Sequence, residues 1–67
     1  MCFVTAIING NELVNGKRFS SSKKADKYIS SILNTYNCQI TEEYEGLNGH
    51  ELVADYHTRI FVRYANN

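Results

Sequence analysis

The sequence contains no proline and no tryptophan, and only two of its 67 residues are cysteine. Without proline, no strand or helix is interrupted by a missing backbone donor. Two cysteines, Cys2 and Cys38, are too few for the disulfide framework that staples many small secreted domains. No apolar run approaches the roughly 20 residues needed to span a bilayer. The opening Met-Cys-Phe-Val-Thr-Ala-Ile-Ile has neither a basic leader nor a small-residue cleavage site. These absences lead to the expectation of a cytoplasmic protein with reduced thiols. An excess of charge is missing too: seven Lys and Arg balance seven Asp and Glu, which argues against general coating of nucleic acid.

What is present is the composition of a folded chain. Apolar residues make up 43% and aromatic residues 12%, which excludes a disordered polar segment. The length leads us to expect a single α+β domain over residues 1–67, with no second domain. A chain of this size buries only about 60% of the surface it exposes when unfolded, so a homodimer is a natural means of adding stability.

The balanced charge is unevenly placed. Lys17, Arg18, Lys23, Lys24 and Lys27 cluster together, whereas residues 38–67 carry Glu42, Glu43, Glu45, Glu51 and Asp55 against Arg59 and Arg63. A basic half followed by an acidic one suits electrostatic steering towards a partner, or head-to-tail self-association.

Periodicity predicts one amphipathic helix over about Ser21 to Asn37. Ala25, Tyr28, Ile29, Ile32, Leu33 and Tyr36 recur at the spacing of one helical face, and Ser20, Ser21 and Ser22 are N-cap candidates. Before it, Phe3 to Ile8 reads as a strand ended by an Asn9-Gly10 turn; Glu12-Leu13-Val14 begins a second, bent or turned again at Asn15-Gly16. After it, Gln39 to Tyr44 reads as a strand with Ile40 and Tyr44 on one face, and Asn48-Gly49 as a third turn. Arg59 to Tyr64 reads as a central strand with Ile60, Val62 and Tyr64 on one face and Arg59, Phe61 and Arg63 on the other. Residues 50–58 fit helix or strand, and β-branched content favours strand. The fold expected is α+β: an antiparallel sheet of four to five strands, ββαββ-like, with the helix packed on one face.

Asn9-Gly10-Asn11-Glu12-Leu13-Val14 is echoed by Asn48-Gly49-His50-Glu51-Leu52-Val53, differing in the third residue only. It reads either as a duplicated hairpin or as turn chemistry repeated by chance.

The residues that could carry chemistry are few. Lysines in the first helical turn oppose the helix dipole, and with serine hydroxyls and free amides they suit an anion. No phosphate-binding glycine loop accompanies them, and Glu42, Glu43 and Glu45 read as a solvated strand face. Cys2, Cys38, His50 and His57 lack the close pairing of zinc ligands, so no metal and no cofactor is expected. One helix covers only one sheet face, and the other, expected to include Phe61, Tyr56 or Leu52, is left as a binding surface. The functional expectation is a non-catalytic protein-binding module, by analogy an inhibitor or adaptor of the kind mobile elements carry, acting on a host protein. The binding residues are Lys17, Arg18, Lys23, Lys24, Lys27, Tyr56 and Phe61. The alternative is nucleic-acid binding through the basic cluster.

Overall fold

The structure, a computed structural model, describes residues 1–65. Asn9 and Gly10 both have positive φ, 54° and 78°, as a tight type I′ turn requires. They join β1 (Cys2–Ile8) to β2 (Asn11–Phe19) in an antiparallel hairpin. Asn15-Gly16, expected as a bend or second turn, is a bulge inside β2. Val4 faces Lys17 and Ala6 faces Val14, so two residues of β2 oppose Thr5 alone. The Thr5 hydroxyl accepts from the Gly16 amide at 3.0 Å and lies 3.3 Å from the Asn15 side-chain oxygen, to which it donates.

The helix α1 (Ser22–Thr35) starts at Ser21, whose hydroxyl accepts from the Lys24 amide at 3.2 Å. Ala25, Ile29 and Ile32 are buried, and Tyr28 and Leu33 pack beside them. Tyr36, expected on this face, is 42% exposed because the helix has already ended and Tyr36 is its C-cap. Asn37 turns the chain in the left-handed region at φ 55°, and the Cys38 amide returns to the Leu33 carbonyl at 2.9 Å.

A meander follows: β3 (Ile40–Gly46), β4 (Gly49–Ala54) and β5 (Thr58–Tyr64). The β3–β4 turn is Leu47-Asn48, one residue earlier than expected, with Gly46 paired to Gly49. Gly49 thus sits in a strand, where a Cβ would collide with the Val62 carbonyl oxygen. The repeated Asn-Gly therefore sits one residue out of step in the two hairpins, as the turn itself at Asn9-Gly10 and as turn end and strand start at Asn48-Gly49. Residues 50–58 are strand and turn: Tyr56 and His57, at φ 60° and 55°, reverse the chain between β4 and β5.

The five strands lie in the order β2-β1-β5-β4-β3, every pair antiparallel, with β5 central. The α+β class is as expected, but three strands follow the helix, giving β1β2α1β3β4β5 in place of ββαββ. Cys2, Val4, Ala6, Ile8, Leu52, Ile60 and Val62 meet Ala25, Ile29 and Ile32 in the core. Cys2 pairs with Tyr64, whereas Cys38 touches Thr58 at the other end of β5, roughly 20 Å away at about 3.3 Å per residue. The two buried thiols are free and beyond bridging distance. No helix among the described residues is long and apolar enough to cross a membrane.

Candidate functional site: the uncovered sheet face

Strand alternation fixes which side chains the helix cannot reach. Residues directly opposite one another in a ladder share a face, so the registers place Arg18, Phe3, Arg63, Gly49 and Gly46 in one row across the sheet. Thr5, Phe61, Glu51 and Tyr44 form the next row, and Ile7, Arg59, Val53 and Glu42 the third, with Glu12 opposite Ile7. Phe61 stands in the middle, 38% exposed, and Tyr44 towards one edge is 53% exposed. The Arg63 guanidinium lies over the Phe3 ring, 4.5 Å from its centroid. With no side chains at Gly46 and Gly49, a shallow hollow of about 630 Å³ opens beside them, walled by Phe3, Phe61, Tyr44, Arg63 and Glu51.

The electrostatics of this face are mixed. Arg59 Nε lies 3.9 Å from Glu51 Oε2, a partly exposed pair. A hydrogen bond with Glu42, two residues back on the same face, raises the Tyr44 hydroxyl above its ordinary value, with the negative charge of Glu42 adding to it. The ring remains protonated and able to donate at neutral pH.

The expected site residues do not assemble into one patch. Arg18 lies on the open face opposite Phe3, and Phe61 is at the centre of that face. Lys17, next to Arg18 in the chain, points the other way, its Nζ 5.7 Å from the Tyr28 ring centroid and 5.9 Å from that of Phe19. Lys23, Lys24 and Lys27 are exposed on α1, on the far side of the sheet from Arg18. Tyr56 is 63% exposed but sits in the β4–β5 turn and not on the sheet face. Leu52, also expected on the open face, is buried under the helix because its partner in β5 is Ile60.

The registers also break an expected pairing of Ile40 with Tyr44. A bulge between Ile40 and Glu42 puts Ile40 opposite buried Ala54 and Tyr44 opposite Glu51, on the other face. Phe3, Tyr44, Arg59 and Arg63 were not among the expected binding residues. For Phe3, Arg59 and Arg63 a signal exists: each alternates with residues of the apolar core face. The Tyr44 signal is scrambled by the bulge.

On the helix side, His50 Nδ1 and the Tyr64 hydroxyl share a hydrogen bond, with ring centroids 5.6 Å apart. Burial raises the Tyr64 hydroxyl, and Glu45 raises it further. His57 lies beyond the other end of β4, and no group of three metal-ligating side chains occurs among the described residues. Protein-family models, curated proteins and solved structures contain no match to this chain.

Proposed function

We propose that this protein is a non-catalytic binding module whose open sheet face docks another protein. One observation carries the reading: the single helix covers one face, and the other presents Phe61 at the centre of the sheet, flanked by Phe3, Tyr44 and three arginines. Aromatic residues and arginine dominate the energetics of protein interfaces, because they bury large areas at low entropic cost and donate several hydrogen bonds. The hollow beside Gly46 and Gly49 adds a concavity into which a partner side chain fits.

Charge favours a protein partner over nucleic acid. Arg18, Arg59 and Arg63 on this face are matched by Glu12, Glu42 and Glu51. A phosphate chain gains from the first three and loses to the second three, whereas a protein can match both signs. The lysines that motivate the nucleic-acid alternative lie on the opposite side of the molecule.

The test is site-specific photocrosslinking in cells that naturally carry the protein, with the photoreactive residue placed at position 61 or, as control, at Ser30 on the exposed side of α1. A discrete protein adduct through position 61 alone is the expected result. Adducts through Ser30 alone, or adducts at position 61 that nuclease removes, would overturn the reading.

A further inference from the structure

Across three neighbouring strands, Arg18, Phe3 and Arg63 stand side by side on the open face. The two arginines are the cross-strand neighbours of Phe3 on either side, with their Cα atoms roughly 10 Å apart at about 4.8 Å per strand spacing. Both arginines are exposed, and neither has a carboxylate partner among the described residues; the ion pair on this face belongs to Arg59 and Glu51. The Arg63 guanidinium lies over the Phe3 ring, 4.5 Å from its centroid, and no carboxylate occupies its N–H groups among the described residues. One guanidinium seated on a phenyl ring, with a second unpaired arginine across the same ring, forms a receptor for an anion.

We infer that this row receives a carboxylate-bearing segment of the protein partner, an Asp or Glu lodged between Arg18 and Arg63 with an adjacent apolar side chain in the hollow by Phe61. The inference rests on the protein-docking reading and specifies the partner's chemistry. A carboxylate is favoured over a phosphate chain because the surrounding groups are selective. Glu51 lines the same hollow on the open face, so a ligand with evenly spaced charge places its next anion against a carboxylate. A peptide with one acidic residue beside an apolar one avoids that repulsion and uses both the arginines and the rings.

The experiment is selection of a random peptide library on the immobilised full chain, carried out in parallel on the wild type and on Arg18→Gln/Arg63→Gln. Circular dichroism checks that the exposed substitutions leave the fold intact. Wild-type selection is expected to enrich peptides with Asp or Glu next to an apolar residue, and the enriched peptides are expected to bind the double variant roughly tenfold to a hundredfold more weakly, the range for charge-assisted hydrogen bonds. Lys23→Gln, on the helix, is expected to leave their affinity unchanged.

Binders that depend on Phe61 but show no acidic preference, or that keep their affinity for the double variant, would overturn the carboxylate inference while leaving the docking face in place. Failure to obtain any binder sensitive to Phe61→Ala would remove the docking face itself, and the inference with it. A labelled oligothymidine that binds saturably at physiological salt and is lost on Arg18→Gln/Arg63→Gln would reassign the row to phosphate.

Discussion

Gly46 and Gly49 face each other across β3 and β4, yet only one of them has to be glycine. A Cβ on Gly49 meets the β5 backbone at Val62, whereas a Cβ on Gly46 meets nothing closer than 3.5 Å, an ordinary contact. Gly49→Ala is therefore expected to cost about 2–4 kcal/mol, the range of severe packing strain, and Gly46→Ala less than about 0.5 kcal/mol. Urea denaturation of the two variants checks this, and equal losses would contradict the geometry. Tyr56 gives the opposite case: a large exposed residue held at φ 60°, where a Cβ is costly. Tyr56→Gly is expected to leave stability unchanged or to raise it by up to about 1 kcal/mol, because the relief of strain offsets the entropy of glycine. At this scale the sequence was only partly legible. Asn15-Gly16 does mark a residue at positive φ, Gly16 at 68°, but turn and bulge ask the same of glycine. What decides between them is the Thr5 hydroxyl, a partner from another strand that no local pattern contains.

The helix is the element most nearly written in the sequence, since its cap and its apolar stripe are both local signals: Ser21 accepts from Lys24, and Ala25, Ile29 and Ile32 are buried. Its first turn holds no acidic residue. Lys24→Glu would pair with Ser21 as a capping box and meet the positive end of the dipole, so it is expected to stabilise by a few tenths up to about 1 kcal/mol in thermal melts. A loss of stability would mean that Lys24 has a structural role. The strand β3 was legible as a strand but not in its facing, because the bulge after Ile40 is stabilised from β4, where the Val53 carbonyl accepts from Thr41 at 3.2 Å. Every residue of β3 is exposed, and it is an edge strand. Its Glu42, Glu43 and Glu45 keep such an edge from pairing with other chains. Replacing all three with Thr is expected to convert monodisperse protein into aggregates detectable by light scattering. For the candidate site, the alternation of Arg59, Phe61 and Arg63 was visible, but the basic run from Lys17 to Lys27 misled: adjacency along a strand places Lys17 and Arg18 on opposite faces.

At the scale of the whole molecule, two tyrosines tie stability to alkaline pH. The Tyr44 hydroxyl is raised by its hydrogen bond to Glu42, and the Tyr64 hydroxyl by burial. A group whose folded value lies above the unfolded one holds its proton more tightly in the folded state. Its contribution is complete below the unfolded value, 10.0 for tyrosine, and is lost as pH rises beyond it. Unfolding free energy is expected to fall above about pH 10, with a shallower fall in Tyr64→Phe; an unchanged slope would show that Tyr64 ionises alike in both states. The centre of the sheet is β5, hydrogen-bonded to β1 on one side and β4 on the other, although it follows the other four described strands in sequence. Synthesis and assembly therefore run in opposite orders. Until Tyr64 has been joined, β1 has one unpaired edge, and the apolar stripe of α1 faces half a sheet. Until β5 docks, a chain that has formed the hairpin and helix leaves them open on that side. Its β1 edge is then available to any strand that reaches it before β5 does.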